Sequence, residues 1–159
     1  MTPINYVIGD ATKPQCAGPK IIAHCCNDMG VWGAGFVLAL SRRWKQPEAE
    51  YRAWARRLDD QPLPLGEVQF VEVEPDIMVA NIIGQHDTQF SCGVPPVRYF
   101  AITQGMIRIA EYALQRDASV HMPRLGCGLA GGTWGVVENI IRGTLSTADI
   151  QATVYDMPA

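Results

Sequence analysis

Apolar and polar positions along the first half of the chain predict short strands and then helices. Ile4–Ile8 predicts a strand, and Lys20–Cys25 predicts a second one that is apolar enough to be buried on both faces. Ala34–Lys45 predicts a helix. Pro47–Leu58 predicts another helix, with its proline in the first turn. The first half therefore predicts the order strand, strand, helix, helix.

The second half continues this mixture of elements. Strands are predicted at Glu67–Glu74, Ile77–Ile83, Ser119–Met122 and Gln151–Asp156. The first of these alternates apolar and charged residues, which indicates one exposed face. A polar loop is predicted at Gly84–Val94.

Two helices are predicted here from the period of their apolar residues. The longer one runs from Pro95 to about Asp117, and its stripe has spacings of 3, 4, 3 and 4, which predicts one buried face. That stripe consists of Phe100, Thr103, Ile107, Ala110 and Leu114. Thr133–Thr147 predicts the last helix, with Thr133 as its N-cap. Its inward-facing residues are Trp134, Val137, Ile141 and Leu145.

The order of these elements is largely strand, helix, strand, which is typical of helices packed on both faces of a sheet. We therefore expect an α/β fold, a three-layer α/β/α sandwich with a mixed central sheet. The 159 residues suit one sizeable core, so we expect a single domain over residues 1–159.

Charge limits the partners that the chain can bind. The net charge is −3 and the pI is about 5.5, which disfavours non-specific binding to nucleic acid. One basic region departs from this balance. It contains Arg42, Arg43, Lys45, Arg52, Arg56 and Arg57. A solvated helical face is the favoured interpretation of this region, and direct nucleic-acid binding is the alternative.

Cysteine usage and hydropathy narrow the class of protein further. The five cysteines are odd in number and include no Cys-x-x-Cys pair, which argues against a disulfide framework and a zinc site. We expect no metal and no cofactor. No apolar run approaches the roughly 20 residues of a membrane span, and no signal peptide is visible. We therefore expect a cytoplasmic protein without a membrane partner.

Two glycine-rich segments follow predicted strands and lead into predicted helices. The first glycine loop is Asn27–Gly35, NDMGVWGAG, and the second glycine loop is Leu125–Gly132, LGCGLAGG. Exposed N–H groups beside a helix N-terminus attract anions, so these loops could hold the two phosphates of a pyrophosphate. Neither a P-loop nor a G-x-G-x-x-G fingerprint after the first strand is present, and tight turns with a packing role remain the alternative.

The residues around both loops resemble those of a known family. Four segments carry the resemblance: VIGDAT at 7–12, HCCNDMGVWGAGFVLAL at 24–40, MPRLGCGLAGGTW at 122–134 and TVYDM at 153–157. In this order they resemble the macrodomain, the ADP-ribose-binding module. The most similar branch contains terminal ADP-ribose protein glycohydrolase, antitoxin macrodomains that remove ADP-ribose from DNA, and an ADP-ribose 1''-phosphate phosphatase. The resemblance implies ADP-ribose or an ADP-ribosylated macromolecule as the partner.

The resemblance also implies roles for matching positions. Asp10 would accept a hydrogen bond from the adenine amino group near the Ala11 N–H, Asn27 would hold the distal ribose, and Tyr155 would pack near the adenine. The phosphates would be lined by Gly33, Ala34, Gly35 and Phe36 on one side and by Leu125, Gly126, Cys127, Gly128 and Leu129 on the other. From the residues alone, Asp10 and Asn27 could instead close turns, and Tyr155 could belong to the core.

The catalytic residues of that branch are not matched. Its glycohydrolases use a lysine in the loop after the fourth strand, where this chain reads GQHD at 84–87. Some members also use an aspartate where this chain has Ala130. The groups that remain able to move a proton are His86, Asp87 and Asp28, although His86 could also be an ordinary exposed loop histidine.

Three functions compete on this basis. The first is a hydrolase of ADP-ribose derivatives, the second is a non-catalytic ADP-ribose reader, and the third is a nucleic-acid-interaction domain that uses the basic region. A cysteine nucleophile is not favoured, because Cys127 lies between two glycines and no histidine partner is suggested. ADP-ribose binding with hydrolysis of ADP-ribose derivatives is the favoured function, and the non-catalytic reader is the alternative.

Overall fold

A six-stranded sheet forms the central layer, in the order β1-β6-β5-β2-β4-β3. The computed structural model describes residues 1–158. The strands are β1 (Asn5–Ile8), β2 (Lys20–Asn27), β3 (Val68–Glu74), β4 (Ile77–Gln85), β5 (Ser119–Met122) and β6 (Ala152–Asp156). Neighbouring strands are parallel except for β3 and β4, which are antiparallel. The predicted mixed sheet is therefore confirmed.

Helices cover both faces of this sheet. They are α1 (Phe36–Arg43), α2 (Gln46–Arg57), α3 (Tyr99–Arg116) and α4 (Trp134–Thr144), and a short 3-10 turn follows at Ser146–Ala148. On one face α3 and α4 enclose a core around Ile82 and Val120, and on the other α1 and α2 enclose a core around Leu40 and Tyr51. The α/β/α sandwich is confirmed. No helix within residues 1–158 is long and apolar enough to cross a membrane.

Strand β2 shows how one segment serves both cores. Ile21 and Ala23 belong to the core under α3 and α4, whereas Ile22 and Cys26 belong to the core under α1 and α2. Successive side chains of a strand point to opposite faces, so a continuous apolar run is needed where both faces are covered. The strand continues to Asn27 and thereby leads directly into the first glycine loop.

The predicted buried stripe of α3 is wrong for its three large side chains. Phe100, Ile107 and Leu114 are 56%, 46% and 59% exposed. Of the predicted stripe only Ala110 is buried, and the other buried residues of the helix are Ala101, Ile102, Gly105, Met106, Ile109 and Ala113. Small residues on this face let the helix approach the sheet, since a Cβ on Gly105 would lie 2.6 Å from Ile82 Cγ2. Both faces of α3 carry apolar residues, so their period predicts the helix but not the face that is buried.

Two details at helix starts also differ from the prediction. Helix α3 begins at Tyr99 rather than Pro95, because the preceding residues run beside β4, where Val97 forms a β-bridge with Gln85. Thr133 occupies the N-cap position of α4, but within residues 1–158 its hydroxyl makes no capping hydrogen bond. Its backbone N–H donates to the Tyr99 hydroxyl at 2.9 Å.

Candidate functional site

The two glycine loops face each other across a cleft of about 180 Å³ at the carboxyl ends of β2 and β5. Ala34, Gly35, Phe36, Leu125, Gly126, Gly128, Leu129 and Ala130 line it. Leu129 reaches across, because its Cδ1 lies 3.9 Å from the position of a Cβ on Gly35. The fold thus brings together two segments that are far apart in the sequence.

Glycine is required at specific points of these loops. Gly35 is the N-cap of α1 at φ +81°, a conformation that other residues rarely adopt. A Cβ on Gly132 would lie 2.4 Å from the carbonyl oxygen of Gly126. A Cβ on Gly33 or Gly128, by contrast, meets no atom of residues 1–158 within 4 Å. Packing therefore does not require these last two glycines, and their lack of side chains leaves space beside the backbone.

The two glycine loops at the cleft carry main-chain N–H groups that have no protein acceptor. Within residues 1–158 this holds for Gly33, Ala34 and Gly35 in the first glycine loop and for Gly128 and Leu129 in the second. The start of α1 adds the positive end of a helix dipole. Such groups bind anions without a positively charged side chain.

Arg124 lines the same cleft, but its guanidinium is already engaged. Its Nε and Nη2 contact the two carboxylate oxygens of Asp156 at 2.7 and 3.1 Å. The guanidinium also lies over the rings of Trp134 and Tyr6, at 5.2 and 5.4 Å from the ring centroids. The hydrogen bonds to Asp156 raise the pKa of Arg124 above its ordinary value. Arg124 is therefore a fixed positive charge at the rim of the cleft.

Asn27 shapes the first glycine loop through its own side chain. Its Oδ1 accepts hydrogen bonds from the N–H groups of Met29 and Val31 at 2.9 and 3.1 Å, and from the Tyr51 hydroxyl at 2.9 Å. Its Nδ2 donates to the Val31 carbonyl oxygen at 2.7 Å. These bonds favour the turn interpretation of Asn27 over direct contact with a ribose.

Asp10 and Ala11 follow β1, at the edge of the sheet. Asp10 Oδ1 accepts hydrogen bonds from the Thr12 N–H at 2.9 Å and the Thr12 hydroxyl at 2.7 Å. Burial raises the pKa of Asp10, but the Thr12 hydrogen bonds outweigh this effect and the pKa is lowered. Asp10 therefore closes a turn and stays charged, while Oδ2 has no protein partner within residues 1–158. Ala11 is buried.

Tyr155 is a core residue rather than part of the cleft. It is 8% exposed, and its hydroxyl forms a 2.7 Å hydrogen bond with His121 Nδ1. Its ring packs beside the backbone that leads to Asp10, since a Cβ on Gly9 would lie 3.6 Å from Tyr155 Cδ2. The Tyr155 hydroxyl thus belongs to a buried polar cluster while its ring lies beside the segment that leads to Asp10, and its place near the adenine stays a prediction.

No family model matches the chain, but solved structures share its sequence and fold. A macrodomain protein from Streptomyces coelicolor is 55% identical, with 97% of this chain and 99% of that chain covered and a TM-score of 0.86. The chain belongs to the macrodomain family.

Curated relatives also align over nearly all of this macrodomain. Mouse chromodomain-helicase-DNA-binding protein 1-like is 33% identical over 99% of the chain, but the chain spans only 18% of that relative's length. An ADP-ribose 1''-phosphate phosphatase from Candida albicans is 23% identical, with 87% of this macrodomain and 92% of the relative covered.

The three residues suggested for proton transfer lie together in this macrodomain. The buried Asp28 carboxylate accepts a hydrogen bond from His86 Nδ1 at 2.7 Å and another from the Asp87 backbone N–H at 2.8 Å. The carboxylate of Asp87 contacts only its neighbour Thr88 within residues 1–158. Each Asp28 oxygen thus accepts one hydrogen bond, and the bond from Nδ1 orients the His86 ring. His86 is 53% exposed.

His86 lines a second space, which we call the side cavity. This cavity measures about 540 Å³. Its wall consists of Asp28, Met29, Gly30, Arg52, Ala55, Arg56, Asp59, Asp60, Gln61, Pro62 and His86. None of these residues lines the cleft. The candidate base therefore stands beside the cleft rather than inside it.

Cys127 contributes its backbone to the second glycine loop, while its side chain is half-buried beside the α3 core. The thiol donates to the Leu125 carbonyl oxygen at 3.5 Å. Burial raises the pKa of Cys127, although Arg124 opposes this effect. A thiol with a raised pKa is a poor nucleophile, so the structure supports the small-residue interpretation.

The sequence did not single out the polar network that supports the cleft. His24 lines the cleft and is buried, with its Nε2 2.5 Å from Asn81 Oδ1 and its ring edge-on to Trp32. Asn81 Nδ2 in turn donates to Gln69 Oε1 at 3.1 Å. Burial lowers the pKa of His24 to about 4, although the Asn81 bond opposes this. The available signal was one asparagine inside the apolar run IMVANII.

The segment His86–Arg98, here the β4–α3 segment, supports both glycine loops. At one end, the Asp87 N–H and His86 bind Asp28, which belongs to the first loop. Further along the segment, Phe90 packs on the second loop, since a Cβ on Gly131 would lie 2.8 Å from Phe90 Cζ. Within residues 1–158 no group of three or more His, Cys, Asp or Glu side chains could hold a metal ion.

Proposed function

We propose that this macrodomain binds ADP-ribose in the cleft and holds the diphosphate with main-chain N–H groups. The observation that carries the proposal is the set of N–H groups without a protein acceptor within residues 1–158, at Gly33–Gly35 and Gly128–Leu129. Oriented N–H groups at a helix start bind phosphate without a basic side chain. This accounts for the binding of an anion by a chain with a net charge of −3.

The order of the strands supports one direction for the ligand. Asp10 follows the edge strand β1, and its charged carboxylate can accept a hydrogen bond from the adenine amino group. The cleft lies further along the sheet, at the ends of β5 and β2. With adenine beside Asp10 and the diphosphate in the cleft, the distal ribose points toward β4.

The second part of the proposal is that the protein hydrolyses ADP-ribose derivatives: ADP-ribose attached to protein or nucleic acid, or ADP-ribose 1''-phosphate. His86 follows β4, and its bond to Asp28 leaves Nε2 to accept a proton from water. The water oxygen then bonds to the anomeric carbon or to the phosphorus. The bond to the leaving oxygen breaks, and that oxygen takes the proton. The relative named ADP-ribose 1''-phosphate phosphatase supports this reaction class.

A non-catalytic ADP-ribose reader is the second candidate function. Two observations favour it: the β4–α3 segment contains no lysine, and His86 lines the side cavity rather than the cleft. The nucleic-acid hypothesis has weaker support, because Arg43 and Arg52 of the basic region are paired with Glu74 and Glu48. The cytoplasmic location and the single-domain extent stay predictions.

Replacing Gly128 by valine tests the binding site. A Cβ at Gly128 meets no atom of residues 1–158 within 4 Å, so the variant should fold while its side chain fills the cleft. By calorimetry we expect the wild type to bind ADP-ribose with a Kd near 1 μM, about −8 kcal/mol. We expect Gly128→Val to bind at least tenfold more weakly. Gly135→Val is the matched control, because Gly135 has equally open surroundings but lies on α4. Equal affinity of the wild type and Gly128→Val would contradict the proposal.

A substrate panel separates the hydrolase from the reader. The wild type is incubated with ADP-ribosylated protein, ADP-ribosylated DNA and ADP-ribose 1''-phosphate, and products are identified by mass spectrometry. Turnover of at least one substrate is expected. Binding of ADP-ribose without any product would leave the reader as the function, and absence of binding would refute both.

A further inference from the structure

The side cavity is lined by both cationic and anionic side chains. Its floor is closely packed, because the first glycine loop lies directly on α2: a Cβ on Gly30 would lie 2.6 Å from Ala55 Cβ. Arg52 and Arg56 stand one helical turn apart on α2 and both line the cavity, and His86 lines it from the β4–α3 segment. The cavity therefore lies between the end of β4 and a helix that carries two cationic side chains.

Arg52 and Arg56 differ in whether their guanidinium groups already have protein partners. Arg52 Nε contacts Glu48 Oε2 at 2.9 Å, and its Nη2 donates to the Trp32 carbonyl oxygen at 3.0 Å. Arg56 has no carboxylate within 4 Å and no hydrogen-bond acceptor among residues 1–158. The Arg52 guanidinium is therefore held by protein partners at the wall of the cavity. The Arg56 guanidinium is available to bind a group that enters the cavity.

The acidic residues of the cavity limit what Arg56 can bind. Asp28 already accepts hydrogen bonds from His86 and from the Asp87 N–H. Asp59 and Asp60 follow α2 and line the cavity beyond Arg56. Because Asp59 and Asp60 are anionic and line the same cavity, an anionic group would bind there only in direct contact with the Arg56 guanidinium.

The side cavity also lies in the direction that the ligand takes. In the order β1-β6-β5-β2-β4-β3, β4 follows β2, and His86 comes directly after β4. If ADP-ribose binds as proposed above, its distal ribose approaches this end of the sheet. A substituent on carbon 1'' of that ribose is then the part of the ligand nearest to the side cavity.

We propose that the side cavity is a subsite for a phosphate monoester on carbon 1'' of ADP-ribose, and that Arg56 is the residue that recognises it. This inference rests on the proposed binding of ADP-ribose in the cleft. The role of Arg56 is specificity, because its guanidinium would contact the phosphate and no other part of the ligand. An arginine is suited to this role, since its planar fork binds two phosphate oxygens at once.

The test compares two ligands and two matched variants by calorimetry. The ligands are ADP-ribose and the methylenephosphonate analogue of ADP-ribose 1''-phosphate, whose P–C bond resists hydrolysis. Arg56→Gln removes the proposed contact. Arg57→Gln removes the same charge from the next residue, which is exposed and does not line the side cavity. Both positions are on the surface, and thermal unfolding checks that both variants are folded.

We expect Arg56→Gln to bind the phosphonate at least tenfold more weakly than the wild type and to bind ADP-ribose unchanged. Arg57→Gln should bind both ligands like the wild type. The inference is overturned if Arg56→Gln lowers the affinity for both ligands equally or for neither ligand. It is also overturned if Arg56→Gln and Arg57→Gln have the same affinities. If the wild type binds no ADP-ribose at all, the proposed function itself fails, and this result is distinct from a wild type that binds ADP-ribose with no contribution from Arg56.

Discussion

His24 and His86 stand near the ends of neighbouring strands, yet their surroundings give them different chemistry. His24 on β2 is buried, and burial lowers its pKa to about 4, so it is neutral at pH 7 and serves as a hydrogen-bond partner for Asn81. His86 beyond β4 is half exposed, and Asp28 orients it through Nδ1. Of the two, His86 is the one whose second nitrogen can reach a water molecule.

Replacing His86 by alanine should separate turnover from binding. A positioned base contributes roughly 10²- to 10⁴-fold to a rate, so we expect His86→Ala to lose at least 100-fold in single-turnover rate on the substrate found in the panel. Its ADP-ribose affinity should stay within twofold, because His86 does not line the cleft. Asp87→Asn is the control, since asparagine tolerates the φ of +63° found at Asp87. If Asp87→Asn loses the rate and His86→Ala does not, the base is Asp87.

At the scale of elements, an irregular segment organises the site. The β4–α3 segment contacts Asp28 in the first glycine loop and Gly131 in the second, so the two loops are positioned by one connection. The Val97 N–H also donates to the Ala130 carbonyl oxygen at 3.0 Å. Binding and catalytic residues often lie on loops, because the strands and helices of the scaffold hold the ends of those loops in place.

The two faces of α3 should respond differently to truncation. Met106 is fully buried against the sheet, so Met106→Ala should lower the free energy of unfolding by about 2–5 kcal/mol. Leu114 is 59% exposed on the opposite face, so Leu114→Ala should change it by about 0.5 kcal/mol or less. Urea unfolding of both variants measures the difference. Similar losses would mean that the Phe100–Leu114 face is covered in solution.

Helix α3 shows that the period of apolar residues can predict a helix without predicting which face is buried. The apolar residues at Phe100, Ile107 and Leu114 have helical spacing, and so do Ile102, Met106 and Ile109. The predicted stripe contains Phe100, Ile107 and Leu114, which are large and apolar. Close packing of the helix on β4 instead requires the face that carries Gly105 and several alanines. A helix with two apolar faces can only be oriented by the surface on which it packs.

At the scale of the whole molecule, buried histidines make stability depend on pH. Burial lowers the pKa of both His24 and His121 to about 4, with Lys20 adding to the effect at His121. In the unfolded chain a histidine titrates near 6.5, so between pH 6.5 and pH 4 the unfolded state binds more protons than the folded state. The contribution to stability is therefore complete above pH 6.5 and is lost as the pH falls toward 4.

We expect the free energy of unfolding to fall between pH 7 and pH 4.5, with a limit of about 3 kcal/mol for each histidine when the pH reaches 4. Urea unfolding at a series of pH values measures this slope. His24→Gln keeps a polar partner for Asn81 but does not titrate, so its slope should be smaller than that of the wild type. An unchanged slope in His24→Gln would mean that His24 is not the group that titrates.

The amino-acid sequence by itself determined the class of fold, most strand and helix positions, both glycine loops and the family resemblance. These features follow from local rules: apolar period separates strands from helices, and clustered glycines mark backbone that must stay uncovered. His86, Asp28 and Asp87 could be named in advance because few other proton-transfer groups stand near these loops.

Only the tertiary structure decided how these residues are used. It buried Asp28 against His86, committed the Asn27 amide to its own loop, directed Tyr155 into the core and separated the side cavity from the cleft. Burial and hydrogen-bond partners are set by residues distant in the chain, and the same side chain can serve as base, ligand contact or support according to which of them it meets.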